Sequence, residues 1–300
     1  MQAVTTEQEN TSALSARGRL EAFIELTKPR IAFLLVLTSA AGYYAGSIGT
    51  FDTLLFVHSM LGITLLAFGV ATLNQWYERA IDPLMERTAG RPIPAGKVTP
   101  TEALVFGISQ CLVAELYLLF FVNILTAALG LTVIAGYVLV YTPLKTKTSA
   151  STAIGAFPGA MPPLMGWTAA TNEITLGAWA LFAVQFLWQF PHFLAIAWLY
   201  REQYAKAGIL MLPVVEPDGR LTARQIVLFT LMLVPVSLGP FFLGFAGIYF
   251  LIGSVLLGIW FLFESVKMAR SKTDKAARKL LLVSVIYLPL YFLLMVIDKI

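Results

Sequence analysis

Residues 53–82 read TLLFVHSMLGITLLAFGVATLNQWYERAID, a long apolar run that ends in amide and carboxylate side chains. The run from Thr53 to Tyr77 contains no Asp, Glu, Lys or Arg. Its length exceeds the roughly 20 residues that an α-helix needs to cross the hydrocarbon core of a bilayer. This stretch therefore predicts a membrane-spanning helix that delivers polar side chains to one membrane surface.

Runs of the same character recur along the whole chain. Its 300 residues are 58% hydrophobic and only 13% charged, a composition that excludes an ordinary soluble domain. We predict an all-α integral membrane protein, with residues 1–25 as a flexible cytoplasmic tail and residues 26–300 as a single transmembrane domain. The nine predicted spans are Ile31–Phe51, Thr53–Tyr77, Ala103–Phe121, Ile124–Leu144, Thr148–Asn172, Ile174–Tyr200, Gln225–Leu243, Gly247–Phe263 and Leu280–Ile297.

The basic residues predict how the chain is oriented. With nine spans, every Lys and Arg except Lys299 falls on the same side of the membrane as the N-terminus. The positive-inside rule places that side in the cytoplasm, and a bacterial-type inner (cytoplasmic) membrane is the simplest location. The net charge of +4 then reflects topology and attraction to anionic membrane lipid, and no nucleic-acid partner is expected.

The polar cluster after the second span has the composition of a metal and phosphate site. Asn74, Glu78 and Asp82 recur every four residues, so on a continuing helix they would line one face about 6 Å apart and could share a hydrated Mg²⁺. Arg87 and Arg91 follow directly, and guanidinium groups suit phosphate oxygens. These residue types predict a site for a metal-bound phosphate ester at the membrane surface.

Further charged residues lie on the same predicted side. Lys145 and Lys147 follow the fourth span and are either diphosphate contacts or plain topology charges. After the sixth span, Arg201, Glu202 and Lys206 again combine acid and base, and they either belong to the site or merely stop a helix.

His192 lies inside the sixth span, beside Pro191 and close to Trp188. An ionisable side chain at membrane depth must face a cavity or a partner, so it is a candidate functional residue. It could ligate or stack on a planar, metal-containing ligand, or position a substrate proton. Alternatively it is a neutral histidine that hydrogen-bonds to a neighbouring helix.

The fifth span is interrupted by prolines and glycines, as in the run Phe157-Pro-Gly-Ala-Met-Pro-Pro-Leu-Met-Gly166. Backbone freed from helical hydrogen bonds cannot face lipid. We therefore expect this span to be packed inside the protein or to line an apolar cavity.

Together these motifs resemble a known family. The chain is similar to the protohaem IX farnesyltransferase (haem O synthase) branch of the UbiA-type intramembrane prenyltransferases over roughly residues 20 to 295. The motifs that carry the resemblance are Asn74-x₃-Glu78-x₃-Asp82-x₂-Met85-x-Arg87-Thr88-x₂-Arg91-Pro92, Tyr141-Thr142-Pro143-Leu144-Lys145, Pro191-His192-Phe193 and Ala207-Gly208-x₂-Met211-Leu212-Pro213.

The resemblance implies nine helices in a bundle around a central cavity that opens to the cytoplasmic side. It implies transfer of the farnesyl group of farnesyl diphosphate to a vinyl group of haem b, giving haem O, with Mg²⁺ as cofactor. It further implies hand-over of the product to haem A synthase or to cytochrome oxidase assembly. The chain departs from the family pattern with Glu at 78, where Asp is common, and with Gln203, which leaves Glu202 as the acid of the second motif.

The predicted site divides into three groups of residues. The metal ligands are Asn74, Glu78, Asp82 and Glu202, of which the first three are also assigned as catalytic. The diphosphate contacts are Arg87, Arg91, Lys145, Lys147, Arg201 and Lys206. The contacts to haem or another acceptor are His192, Trp188 and Tyr141.

Two other functions compete with this one. The first is a prenyltransferase for another aromatic or porphyrin-like acceptor. If that acceptor were an aromatic acid or a quinone precursor, we would expect more carboxylates near Glu202 and no need for His192. A membrane transporter could use the broken fifth span as a permeation path, but it would be expected to carry more charge at mid-membrane than Glu115 and His192.

Overall fold

The computed structural model describes residues 15–300, and within that range every regular element is a helix. Eleven helices form the body of the molecule, and five shorter helices lie in the connections between them. The eleven are α1 (Ala16–Leu26), α2 (Pro29–Gly46), α3 (Thr53–Glu78), α4 (Pro100–Phe121), α5 (Ile124–Ile134), α6 (Ser151–Gly159), α7 (Met161–Thr171), α8 (Leu176–Leu199), α9 (Arg220–Val236), α10 (Ile248–Ser271) and α11 (Asp274–Ile297). The short helices are Asp82–Leu84, Glu86–Ala89, Arg201–Lys206, Leu212–Val215 and Gly239–Phe242.

Seven helices in the described part of the chain are long and apolar enough to cross a membrane. They confirm a multi-pass membrane protein and coincide with seven of the nine predicted spans. The first predicted span corresponds to α2, and the fifth corresponds to the pair α6 and α7. The count of nine crossings and the side on which a central cavity opens stay predictions.

Several helices extend beyond the apolar runs that predicted them. The eighth span was predicted to end at Phe263, but α10 continues to Ser271, and α11 begins at Asp274 instead of Leu280. Thr273 caps α11 by accepting a hydrogen bond from the backbone N–H of Ala276. Hydropathy marks the part of a helix inside lipid, whereas caps decide where the helix itself ends.

The second half of the broken fifth span is packed inside the protein, as predicted, whereas Ile154 and Phe157 in its first half are exposed. α6 ends at Gly159 and α7 begins at Met161, and all residues from Met161 to Ala169 are buried. A Cβ atom on Gly166 would overlap the carbonyl group of Ser39 on α2. Glycine therefore lets the α2 and α7 backbones come into direct contact.

The prediction of a flexible tail over residues 1–25 is wrong for its described part. Residues Ala16–Leu26 form α1, which Ser15 caps by accepting a hydrogen bond from the backbone N–H of Gly18. Ala22 and Leu26 are buried against a small cluster that includes Ile93 and Val98. These apolar contacts hold α1 on the body of the bundle. Residues 1–14 lie outside the described part of the chain.

A surface cavity of about 680 Å³ lies between α1, α3 and α4. Its walls include Phe23, Phe68 and Phe106, together with Thr27 and Pro29. It therefore lies next to the corner between α1 and α2, where Lys28 turns towards the polar cluster.

Candidate active site

The polar cluster begins where α3 ends. α3 stops at Glu78, and a turn leads to the short 3₁₀ helix Asp82–Leu84 with Pro83 near its start. Asp82 therefore lies at a helix boundary, as expected for the residue before a proline, where helical geometry is disfavoured. Asn74 and Glu78 lie on α3, but Asp82 lies beyond its end. The arrangement of all three side chains on one face of a continuing helix is therefore not formed.

Two cations hold the carboxylates together in the absence of that helix. Arg91 donates to both oxygens of Asp82, with Nη1 at 2.7 Å from Oδ1 and 2.8 Å from Oδ2, and lies 3.6 Å from Oε2 of Glu78. Lys145 donates to Oε1 of Glu78 at 2.5 Å. The side chain of Asp82 is fully buried, and that of Glu78 is 7% exposed. Buried carboxylates need such partners, since an unpaired buried charge is costly.

Asn74 joins the same cluster through Lys28. Nζ of Lys28 donates to Oδ1 of Asn74 at 2.8 Å, and Nδ2 of Asn74 donates to the hydroxyl of Thr142 at 3.3 Å. Lys28 forms the corner between α1 and α2 with φ of 49°, a left-handed conformation that is uncommon for residues other than glycine. In the sequence, Lys28 stands out only as one of the basic residues that predict the orientation of the chain. The position of this lysine before Pro29, at the start of the first span, was the one signal that could have singled it out.

A π-helical segment places the side chains of the fourth predicted span. α5 continues through the π-helix Ala135–Tyr141 and one further helical turn, Thr142–Leu144. Nζ of Lys145 then lies 4.6 Å from the centre of the Tyr141 ring, in cation–π contact. Such π segments are common at functional sites. Here the segment brings Tyr141, Thr142 and Lys145 to the cluster together.

The cluster contains three basic side chains and two carboxylates. Burial and the charges of these neighbours shift the pKa values of several members. Burial and the nearby Arg91 lower the pKa of Lys28 to about 7. Burial also opposes the charge on Lys145, but the adjacent Glu78 outweighs it and raises the pKa of this lysine above its usual value. Burial raises the pKa of Asp82, although its hydrogen bonds to Arg91 oppose the shift. An excess of buried positive charge favours an anionic ligand.

Other predicted diphosphate contacts lie elsewhere in the structure. Nη2 of Arg87 donates to the hydroxyl of Tyr204 at 2.9 Å, and the guanidinium packs on the rings of Tyr200 and Tyr204. Arg87 therefore links the connections that follow the second and sixth predicted spans. Arg201 pairs with Asp274 at 2.9 Å.

The remaining predicted contacts are on the surface. Lys147 and Lys206 are exposed, as is Glu202. Among the residues that the structure describes, no group of three His, Cys, Asp or Glu side chains is arranged to hold a metal. Glu202 therefore does not join Glu78 and Asp82, in contrast to the predicted set of metal ligands.

Asn74, Glu78 and Asp82 nevertheless suit Mg²⁺. In proteins this ion commonly takes one or two carboxylates and completes its coordination with substrate phosphates and water. Two buried carboxylates and one amide oxygen supply the protein's share of such a site. The adjacent cations can interact with the phosphate oxygens.

The predicted acceptor contacts on α8 lie against the last helix. The rings of Trp188 and His192 are stacked, with centroids 4.6 Å apart and planes inclined by 21°. Nδ1 of His192 lies 2.8 Å from the hydroxyl of Ser284 on α11, and Nε1 of Trp188 donates to the Ser284 carbonyl at 2.8 Å. Ser284 lies in the middle of an apolar run, and no sequence pattern singles it out. Tyr141, the third predicted contact, lies beside Lys145 instead.

Comparison with known proteins identifies the family of this chain. Residues 35–290 match the UbiA prenyltransferase family. The chain is 48% identical over 286 residues to the protoheme IX farnesyltransferase of Solibacter usitatus, covering 92% of this chain and 98% of the relative. It is 43% identical over 290 residues to that of Koribacter versatilis, covering 93% and 94%.

Solved structures show the same fold at low sequence identity. A structure from work on digeranylgeranylglyceryl phosphate synthase has a TM-score of 0.79 at 18% identity, covering 93% of this chain and 98% of that one. A UbiA homologue from Archaeoglobus fulgidus bound to GPP and Mg²⁺ has a TM-score of 0.67 at 16% identity, covering 92% and 99%. This chain belongs to the UbiA prenyltransferase family, and within it to the group that contains these protoheme IX farnesyltransferases.

Proposed function

We propose that this protein transfers the farnesyl group of farnesyl diphosphate to a vinyl group of haem b, producing haem O and diphosphate. The observation that carries the proposal is the buried cluster of Asn74, Glu78 and Asp82 with three cations, in a chain 48% identical to a protoheme IX farnesyltransferase. The haem b acceptor comes from those relatives, and the cluster supports the use of a diphosphate.

The residues of the cluster account for the first chemical step. An allylic diphosphate ionises when the negative charge that develops on its leaving group is neutralised. Mg²⁺ held by Asn74, Glu78 and Asp82 would neutralise part of that charge. Lys28, Arg91 and Lys145 now donate to these same three residues. With those oxygens bound to Mg²⁺, Lys28, Arg91 and Lys145 would be available to donate to the diphosphate oxygens.

The second step requires no nucleophile from the protein. The C–O bond to diphosphate breaks, and the vinyl π electrons of haem form the new C–C bond with the farnesyl carbon. Water then adds a hydroxyl to the resulting cation and loses a proton. Lys145 now lies over the ring of Tyr141. If Lys145 donated to the diphosphate instead, that ring face could stabilise a developing carbocation by up to about 2 kcal/mol when water is excluded.

Mass spectrometry of haems extracted from cells with and without the protein tests this reaction in vivo. Haem O is expected only in cells that carry the intact chain. A variant with Asp82→Asn serves as the control, because it should be present in the membrane without making the product. Equal haem O in cells that lack the protein would contradict the proposal.

Lys28→Met should weaken binding of Mg²⁺–farnesyl diphosphate by about 10- to 100-fold, because a hydrogen bond to a charged group contributes about 1.5–3 kcal/mol. Methionine keeps an unbranched, flexible stem at this position and removes the charge. Calorimetry on purified protein measures the affinity. Arg30→Met is the matched control, since Arg30 lies two residues away and is exposed. Equal affinities for Lys28→Met and the native protein would remove Lys28 from the site.

We also propose an inner-membrane location with the N-terminus and the active-site connections in the cytoplasm. On a Cys111→Ala background, single cysteines at the exposed positions Thr146 and Lys275 should resist a membrane-impermeant thiol reagent added to intact cells. A cysteine at Asn172, which is exposed at the end of α7, should react. Labelling of a cysteine at position 146 or 275 from outside the cell would contradict the proposed orientation. Hand-over of the product to haem A synthase or oxidase assembly stays a prediction.

A further inference from the structure

Ser284 fixes both aromatic side chains that were predicted to contact the acceptor. Its hydroxyl lies 2.8 Å from Nδ1 of His192, and its carbonyl accepts a hydrogen bond of 2.8 Å from Nε1 of Trp188. Ser284 itself is completely buried. The stacked pair on α8 is therefore held by two oxygen atoms of a single residue on α11.

The hydrogen bonds around Ser284 decide where the imidazole proton lies. A serine hydroxyl has one proton to donate. The carbonyl oxygen of Leu281 lies 2.7 Å from the hydroxyl oxygen and can only accept, so the hydroxyl proton points to Leu281. Nδ1 of His192 must then carry a proton and donate it to the hydroxyl oxygen of Ser284. In a neutral imidazole this leaves Nε2 with a free lone pair.

Nothing within residues 15–300 competes for that lone pair, since Nε2 of His192 makes no hydrogen bond there. Trp188 covers one face of the ring, so rotation of the imidazole would break the stacking as well as the bond to Ser284. Histidines that bind metals generally donate their other ring N–H to an oxygen that fixes the tautomer and orientation. His192 and Ser284 have this arrangement.

We propose that Ser284 is a positioning residue that selects the Nδ1–H tautomer of His192 and so leaves Nε2 free to bind the iron of the haem substrate. The iron-binding part rests on the proposed function, whereas the choice of tautomer does not. The role of Ser284 is to orient and polarise His192, without touching the reacting atoms.

Nitrogen-15 NMR tests the tautomer without haem. The chain contains only two histidines, His58 and His192, so His58→Gln leaves a single imidazole signal in protein labelled with ¹⁵N-histidine. In lipid nanodiscs we expect a protonated Nδ1 and an unprotonated Nε2, and Ser284→Ala should shift this to a mixture of tautomers. A protonated Nε2 in the His58→Gln protein would overturn the proposal, and this measurement does not depend on the folding of any Ser284 variant.

Haem titration followed by absorbance and electron paramagnetic resonance tests the second part. Ser284→Ala should weaken haem binding by about 10- to 100-fold and change the ligand-field spectrum, as is typical for loss of a residue that orients a metal ligand. Ser284→Thr, which restores a hydroxyl, should recover both. Ser265→Ala is the control, because Ser265 is equally buried and pairs with Thr230 at 2.9 Å on other helices. It should leave the haem spectrum unchanged.

The variants separate this proposal from the proposed function. If His192→Ala binds haem with native affinity and spectrum, the haem contact itself fails, and with it the iron-binding part of the proposal. If His192→Ala loses the native spectrum but Ser284→Ala keeps it, only the positioning role of Ser284 fails.

Discussion

Asp82→Asn is expected to lower kcat by about 10³-fold or more, because it removes a negative oxygen that helps hold the metal as diphosphate departs. Asp82 is fully buried and its two oxygens accept both short bonds from Arg91. Asparagine keeps the shape of the side chain and one acceptor oxygen. The activity is measured as haem O formed per minute from farnesyl diphosphate and haem b by purified protein at saturating Mg²⁺.

The choice of asparagine separates catalysis from folding. Asp82→Ala would remove the nearer of the two carboxylates that pair with the largely buried Arg91, and breaking a buried ion pair typically costs about 3–5 kcal/mol of stability. Glu78→Asp is the matched control, because it keeps the carboxylate next to Lys145 and should retain substantial activity. Native turnover by Asp82→Asn would show that the acidic cluster does not hold the metal.

His192→Ala is expected to abolish high-affinity haem binding while leaving the affinity for farnesyl diphosphate unchanged. The side chains proposed to bind the diphosphate are those of Lys28, Arg91 and Lys145. Their hydrogen-bond and ion-pair partners are Asn74, Asp82 and Glu78, and His192 is not among them. The measurement combines haem titration by absorbance with calorimetry of Mg²⁺–farnesyl diphosphate binding on the same preparation.

His58→Ala provides the control for this second substitution. His58 hydrogen-bonds to the hydroxyl of Tyr117 at 2.7 Å and stacks on Phe121, so its loss removes a histidine of similar packing from a different pair of helices. Haem affinity should be native in His58→Ala. Equal haem affinity and equal haem O production in His192→Ala would return His192 to the role of a packed, hydrogen-bonded core residue.

Much of the fold could be predicted from the sequence, because lipid imposes strong rules on composition. Long runs without charge identified the apolar helices, and the prolines and glycines between Phe157 and Gly166 identified the buried break between α6 and α7. Pro83 placed the helix boundary at Asp82. Each of these features follows from local sequence and elementary backbone chemistry.

The partners of the site residues could not be predicted in the same way, since they depend on which helices meet. Lys28 is 46 residues from Asn74, and Ser284 is 92 residues from His192. Neither distance leaves a periodic signal in the sequence. Arg87 follows the acidic residues in the sequence and was predicted to contact the diphosphate. In the structure its guanidinium packs on the rings of Tyr200 and Tyr204, which belong to another connection. α1 was missed because a short helix of mixed polarity resembles a solvated tail until its buried contacts are seen.

The proposed reaction is tested most directly with purified protein in nanodiscs, supplied with farnesyl diphosphate, haem b and Mg²⁺, and analysed by mass spectrometry. The proposed function predicts a haem product heavier than haem b by one farnesyl group and one water less a proton, that is, haem O, with one diphosphate released per product. Removing Mg²⁺ with a chelator should stop the reaction. Failure of active-site-intact protein to form haem O under these conditions would contradict the proposed function.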